Sequence, residues 1–484
     1  MTLEASLALK RARAVRRSGP DELVHAVLDQ VLVDRLRRPY ERTAGCYRSC
    51  MVAELTHLRL PAFKSVRDAE IPLGPLTLVA GRNGSGKSNI LDALTVLSAL
   101  APGLTLREAL DGGREGPSVR GGSAGCAPLG ATSFEVGCTA RWENEGVPID
   151  LHLDVVIRTE PMLQIESERL WTTRTGGPKR GQPLEYVKSD PANPESGDIT
   201  ARWENGKRGL NPPVVMRADQ LLTSQVAARV PATSVAGRGV HAAAEAMLDA
   251  LRGIFLLDPV PSQMREYVPA KDDRLRRNAE NLSAAFARLS EDAMVGEELL
   301  TMTQSLSEAQ VSQMTTVSSE LGDVMVTMAE RIGGQVRQVP ARLMSDGTLR
   351  FLAIAAALLD TGEADTATPG RLLVVEEIEN GLHPSQARLL VNRLKAAAGD
   401  RAVRTLATTH SPAVLDALAG VDHEFVAVCA RDEEGWSTVT RLVDFPDYIE
   451  VAGRASLGEM AVRDRLRPGD VDEGAVDRAL AEIF

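Results

Sequence analysis

"LTLVAGRNGSGKSNILDALTVLSAL", Leu76 to Leu100, runs from an unbroken apolar segment through a glycine-rich turn into an amphipathic one. The turn fits G-x-x-x-x-G-K-[ST] at Gly81, Gly86, Lys87 and Ser88. Glycines at these places let backbone N–H groups converge on phosphate oxygens. Lys87 is expected to reach the outer phosphates, and Ser88 to offer a hydroxyl to Mg²⁺. Asn83, Gly84, Ser85 and Asn89 complete the expected cradle. The helix that starts here aims its N-terminus at the anion. An apolar strand before the loop and a helix after it separate this motif from a glycine-rich surface turn. The stretch predicts an α/β fold with a nucleoside triphosphate site, without saying which machine it serves.

Working outward, "ELTHLRL" and "SVRDAEIPL" read as strands upstream. Residues 101–132 are rich in glycine and read as a loop with a short helix. From Ser133 to Val187, "FEVGCTARW", "IDLHLDVVI" and "LQIESERLW" alternate apolar and polar residues, the pattern of antiparallel strands. "TRTGGPKRGQP" is turn chemistry between two of them. Its Lys179 and Arg180 are either solvated or part of a basic cleft. "AAAEAMLDALRGI" and "NAENLSAAFARLSEDAM" carry helical spacing. The expected organisation is an N-terminal helical extension (1–50), a first part of the nucleotide domain with an antiparallel β subdomain (51–217), a helical insertion (218–335), a second part of the nucleotide domain (336–420) and a tail (421–484). The extension is built on "DELVHAVLDQVLVDRLRR" and is given no catalytic role.

"RLLVVEEIENGLHP" sets four apolar residues, Leu372 to Val375, directly before Glu376 and Glu377. A buried parallel strand ending in carboxylates is how a Walker B element holds Mg²⁺ and orients water. Glu376 is the expected metal-supporting group and Glu377 the group that polarises the attacking water. Many such strands carry Asp at the first acidic position, so Glu376 is a departure with a longer arm. Glu379 and Asn380 follow, near where a partner subunit would come. "RTLATTHSP" gives a further strand that leads into His410, after room for one helix and a return. A histidine there can bond the γ-phosphate or the attacking water. His383 reads as a structural or interface residue.

"RLMSDGTLRFLAIAAALL" places Ser345, Asp346 and Gly347 before a helix that is apolar all round. Ser and Gly at a helix start can form a second anion site, and Ser can equally be an N-cap on a core helix. The phosphate loop already occupies one face of a nucleotide. A second such helix start is surplus unless it serves the nucleotide of another molecule. The order phosphate loop, S-x-G helix, acidic strand, histidine strand favours that reading.

The chain has 484 residues, 44% of them hydrophobic and 25% charged, which fits a globular protein and not a disordered one. A net charge of -11 argues against a protein coated in basic surface for nucleic acid, but leaves a local basic groove open. Cys46 and Cys50 form a lone C-x3-C without the second pair a zinc site needs, and Cys126, Cys138 and Cys429 are scattered. A reducing, cytoplasmic setting is expected. No apolar run reaches membrane-spanning length, and the Arg-rich start lacks the apolar core of a secretory signal.

With these motifs quoted, the sequence resembles the ABC-type ATPases of the RecF/SMC/OLD branch, often labelled AAA family ATP-binding proteins. "FKSVRDAEIPLGPLTLVAGRNGSGKSNILDAL", "RLMSDGTLRFLAIAAALL", "LLVVEEIENGLHP" and "TLATTHSP" carry the resemblance, which spans Val52 to Leu415. It implies a P-loop NTPase fold of ABC-type head, an Mg²⁺-dependent ATPase and a head-to-tail homodimer with ATP at the interface. Ser345 and Gly347 would then contact the γ-phosphate on the partner's loop, and Glu377 would be the base. It further implies bacterial anti-phage defence with a separately encoded nuclease or toxin as effector. A DNA repair or recombination ATPase, with DNA bound under ATP control, is the alternative. A slow regulatory binding module is another. The S-D-G-T signature differs from the transporter type, no long heptad arm is present, and no Q-loop glutamine is placed. Asp422 to Phe484 is too short for a C-terminal nuclease of the OLD kind.

Overall fold

The structure, a computed structural model, describes residues 53–112, 119–144, 146–174, 180–306, 310–360, 371–400, 402–445, 448, 456–463 and 466. The chain divides between Cys50 and Met51, and all described residues belong to the second unit, Met51–Phe484. The expected helix at 21–38, Cys46 and Cys50 lie in the first unit, outside the described residues, as does Lys179 in the second.

In the second unit, β1 (Ala53–Phe63) and β2 (Val66–Pro72) form a hairpin across Lys64 and Ser65, with Lys64 left-handed at φ 52°. Every residue of β3 (Leu76–Ala80) is buried, which is why it reads as a continuous apolar run and not as an alternation. The glycine-rich turn leads from it into α1 (Lys87–Leu100). A capping box between Thr105 and Glu108 starts the short α2 (Leu106–Asp111). The antiparallel run follows as β4 (Ser133–Asn144), β5 (Val147–Arg158), β6 (Gln164–Thr173), β7 (Pro183–Ser189), β8 (Asp198–Trp203) and β9 (Pro213–Arg217). Phe134, Val136, Cys138, Ala140 and Trp142 of β4 are buried at alternate positions, so one face of this sheet makes core. The helices α3 (Leu222–Arg229) and α4 (Val235–Arg252) come next, and α4 contributes Val240, Met247 and Leu251 to that core.

Two parts of residues 218–335 correct the expectation of a helical insertion. First, β10 (Ile254–Leu257) pairs in parallel with the acidic strand and so belongs to the nucleotide domain. Its apolar "IFLL" could not be told from buried helix by periodicity. Beyond the short β11 (Val268–Pro269), the helices α5 (Leu282–Leu289) and α6 (Ala293–Leu306) are as expected. Second, β12 (Gln310–Ser318) and β13 (Asp323–Ile332) then form an antiparallel pair, joined on the far side of β13 by β14 (Gln335–Pro340). Val311, Thr315, Thr316 and Val317 of β12 and Val324, Val326 and Thr327 of β13 favour strand there, and Gly322 at φ 87° makes the turn.

The chain then builds α7 (Asp346–Leu359), β15 (Leu372–Val375), α8 (Ala387–Asp400), β16 (Arg404–Thr409), the short α9 (Pro412–Leu415), β17 (Val426–Arg431), β18 (Ser437–Arg441) and α10 (Leu457–Val462). One sheet of fourteen strands runs β10-β15-β16-β3-β17-β18-β2-β1-β4-β5-β6-β7-β8-β9. The first five are mutually parallel, β17 and β18 form an antiparallel hairpin, β18 meets β2 in parallel, and the strands from β2 to β9 pair antiparallel. Ser437 joins the halves: it pairs with Val66, and its N–H donates to the Ser65 carbonyl at 2.7 Å. Residues 421–484, expected as a tail, therefore place two strands inside the main sheet. A second core gathers around α7, whose Leu349, Phe351, Leu352 and Ile354 are buried against α5, β13 and β15. Among the described residues, no helix is long and apolar enough to cross a membrane.

Candidate functional site

The carboxyl ends of β15, β16 and β3 lie side by side, the place where open parallel sheets bind ligands. The glycine-rich loop leaves β3 here. Gly81 and Gly86 have φ of 153° and 112°. A Cβ on Gly81 would lie 2.3 Å from the Cys429 carbonyl oxygen, and one on Gly86 would lie 2.1 Å from Ser437 Oγ. These two glycines are thus required by β17 and β18, which brace the loop from within the chain. Gly84, at φ 79°, has open space around its Cβ position. Ser437 Oγ donates to the Ser85 carbonyl at 2.6 Å and shares a bond with Ser65 Oγ at 2.8 Å, which in turn accepts from Asn89 Nδ2 at 2.8 Å. Lys87 Nζ donates to the carbonyls of Gly81 at 2.6 Å and Arg82 at 3.0 Å. Burial lowers the Lys87 pKa, while Cys429, Glu377, Glu379 and Glu376 pull it the other way.

Ser88 Oγ donates to Glu376 Oε1, which bridges the loop and the acidic strand. Arg120 also faces Glu376, at 3.4 Å, and donates to the Ser88 carbonyl at 3.2 Å and to Asp92 Oδ1 at 3.1 Å. Asp92 is buried and also takes Lys64 Nζ at 2.7 Å. A chain of charges, Lys64–Asp92–Arg120–Glu376, therefore ends at the expected metal-supporting carboxylate. A hydroxyl and a carboxylate facing each other are hard oxygen donors and fit Mg²⁺.

Glu377 is left-handed at φ 48°, a conformation that a non-glycine residue holds only when its surroundings fix it. Its N–H donates to Thr408 Oγ1 at 2.8 Å, and its Oε2 accepts from Asn380 Nδ2 at 2.6 Å. His410, at the end of β16, has Nδ1 3.8 Å from Glu377 Oε1 and 3.0 Å from Glu379 Oε1. It lines a cavity of about 320 Å³ with Gly81, Arg82, Asn83, Gly84 and Ser85. His383 caps a short 3-10 turn and bonds Ser385 Oγ at 2.8 Å.

Ser345 is the N-cap of α7: its Oγ accepts from the Thr348 N–H at 3.1 Å. Asp346 is exposed and pairs with Arg265 at 2.8 Å, and Arg265 also donates to the Met344 carbonyl at 2.8 Å. A Cβ on Gly347 would lie 2.0 Å from the Gly381 carbonyl oxygen. The start of α7 thus abuts the turn that follows Glu377 in its own chain. Among the described residues, no hydrogen bond joins Ser345 or Gly347 to the phosphate loop of the same chain.

The geometry brings Ser88, Glu376, Glu377 and His410 together and leaves an exposed Ser345 and a half-buried Gly347 at the start of α7, against the Gly381 turn. Sequence reasoning missed Arg120, Asp92, Lys64, Thr408 and Ser437. Of these Lys64, Asp92 and Thr408 lie inside quoted stretches, in "FKSV", "NILDAL" and "TTH", and Arg120 and Ser437 lie outside them.

A family model described as "AAA domain, putative AbiEii toxin, Type IV TA system" matches residues 76–416. That range is most of the chain and holds all four motifs, and the chain belongs to this ATPase family. Similar solved structures include the SMC head domain from Thermotoga maritima, at 16% identity and TM-score 0.37, covering 80% of this chain and 98% of that one. The SmcHead bound to the C-winged helix domain of ScpA is 15% identical, at TM-score 0.43, over 80% and 97%. RecF–ATP of the RecFOR pathway is 9% identical, at TM-score 0.33, over 74% and 93%. No protein of curated function matches.

Proposed function

We propose that this chain binds ATP with Mg²⁺ on the Gly81–Ser88 loop and hydrolyses it in a head-to-tail homodimer. The observation that carries this is the junction of Ser88 with Glu376, beside Glu377 and His410, at the ends of three adjacent parallel strands. Lys87 and the loop N–H groups would hold the phosphates, with Asn83, Gly84, Ser85 and Asn89 shaping the cradle. Ser88 and Glu376 would hold Mg²⁺, which when bound neutralises phosphate charge. Glu377 would take a proton from water as its oxygen bonds to the γ-phosphorus and the bond to the β-phosphate oxygen breaks. Catalysis of this kind rests mostly on positioning and charge. Asn380 and Thr408 supply positioning by fixing the Glu377 carboxylate and backbone. Ser345 and Gly347, which make no hydrogen bond to their own loop among the described residues, would meet the γ-phosphate bound to a second copy.

Opening and closing of such a dimer would gate a separately encoded effector, a nuclease or toxin, in anti-phage defence in the cytoplasm. The family's description, with its Type IV TA system toxin, supports the defence role. The test is ATP turnover by purified protein with Lys87→Ala as the blank, with and without duplex DNA, across a salt series. The expected result is Mg²⁺-dependent turnover that is absent in the variant. Lys87-independent turnover would sink the loop assignment. Salt-sensitive stimulation by DNA would move the role toward DNA sensing or repair.

A further inference from the structure

The carboxylate that holds His410 is Glu379 and not the expected base. His410 Nδ1 lies 3.0 Å from Glu379 Oε1, against 3.8 Å from Glu377 Oε1. The backbone N–H of His410 donates to the same Glu379 oxygen at 2.7 Å. Ring and main chain of one residue thus converge on one oxygen, which pins both the side chain and the strand end. The Glu379 side chain is 12% exposed while that of His410 is 46% exposed. The other oxygen, Glu379 Oε2, is buried with no hydrogen-bond partner among the described residues. Burying a carboxylate with one oxygen unpaired is costly, and such a group needs a reason.

The 3.0 Å separation of His410 Nδ1 and Glu379 Oε1 is an ion-pair distance, and since an ionised carboxylate only accepts, a proton shared between the two belongs to Nδ1. Which ring nitrogen is free to act is set by the bond the other one makes. With Nδ1 committed to Glu379, Nε2 is the atom left for the cavity that His410 lines with the phosphate loop. We infer that Glu379 is a positioning residue for ATP hydrolysis: it locks the His410 ring with Nδ1–H toward itself and Nε2 toward the reactants. This rests on the ATPase reading above. It separates two roles on one turn, with Glu377 taking the proton from water and Glu379 holding the histidine.

The test joins steady-state kinetics with ¹⁵N spectra of the histidine side chains in the full chain, His410 being assigned by its loss in His410→Ala. Wild-type His410 should carry its proton on Nδ1. Glu379→Ala should lose roughly ten- to a hundred-fold in kcat, the usual cost of removing an outer partner of a working group. Its KM for ATP should stay near wild type, and its His410 should lose the Nδ1–H preference. Glu379→Gln, which keeps an acceptor, should recover most of both. If Glu379→Ala does not fold, the wild-type spectrum and Glu379→Gln still decide. A wild-type His410 without a proton on Nδ1, or wild-type kcat in Glu379→Ala, overturns the role. Absence of Lys87-dependent turnover would overturn the ATPase reading and this role with it. Lys87-dependent turnover at the wild-type rate with the ring unpaired from Glu379 would overturn this role alone.

Discussion

Ser88, in the first turn of α1, hydrogen-bonds Glu376 at the end of β15, 288 positions later in the chain. This bond closes the site: one partner rides on the phosphate loop, the other on a strand built by the far end of the sequence. Ser88→Ala would leave Glu376 facing Arg120 without the hydroxyl. The Mg²⁺ concentration for half-maximal turnover is then expected to rise roughly ten-fold. A magnesium titration at fixed ATP reads this directly, and an unchanged midpoint would remove Ser88 from the metal site.

Glu377→Gln keeps size and the contact with Asn380 but cannot take a proton. Loss of a general base costs on the order of 10²–10⁴ in rate. The variant should retain ATP and persist as a dimer when ATP and Mg²⁺ are present, measured by size-exclusion chromatography with light scattering. Turnover at the wild-type rate would mean that another group is the base.

Gly347 has a reason to be glycine that involves no nucleotide. Its missing Cβ leaves room for the Gly381 carbonyl, which would otherwise sit 2.0 Å away. Gly347→Ala should therefore destabilise the folded chain by about 1–3 kcal/mol, the usual range for overpacking. A chemical denaturation series checks this without any ligand. Wild-type stability would show that the turn moves aside freely.

Glu168 is fully buried in β6, where its carboxylate accepts from the Leu222 and Thr223 N–H groups and from Thr223 Oγ1, each at 2.6 Å. It thereby caps α3 from another element. Burial pushes its pKa up to about 7, against the pull of those three donors. The raised value means that the folded chain binds this proton more tightly than the unfolded one. The group's contribution to stability is complete below the ordinary carboxyl value of 4.5 and is lost as pH rises through about 7. Thermal melts of wild type and Glu168→Gln should therefore diverge with pH, the variant gaining on wild type as pH rises from 4.5 to about 7, the window set by those two pKa values. Parallel curves would contradict the raised pKa.

Much of the site was legible because its parts are local patterns. The phosphate loop, the apolar run before Glu376 and the strand before His410 each declare themselves within a dozen or so residues. What failed to show were pairings set by the sheet. Arg120 lies in a glycine-rich loop with no period to mark it, and its partners Asp92 and Glu376 meet it only after folding. Ser437 sits in what read as a tail, yet it touches the phosphate loop and stitches the two halves of the sheet. The strands β12 and β13 carry Met, Ser and Gln among their Val and Thr, which blurred the alternation that marks a strand. The stretch around Ser345 was legible only in part. It is a capped core helix, as its local pattern allows, and its exposed start is also free to face a second copy.

The head-to-tail site is tested most directly by mixing two inactive chains. Lys87→Ala keeps an intact Ser345–Gly347 edge, and Ser345→Arg keeps an intact phosphate loop. Each alone should lack turnover, while Ser345→Arg should still bind ATP. In a mixed dimer the good loop of one chain faces the good edge of the other, and ATP turnover should return on mixing in proportion to the mixed species. If the mixture stays as inactive as its parts while the chains demonstrably exchange, the composite site does not exist, and Ser345 is only the cap of α7.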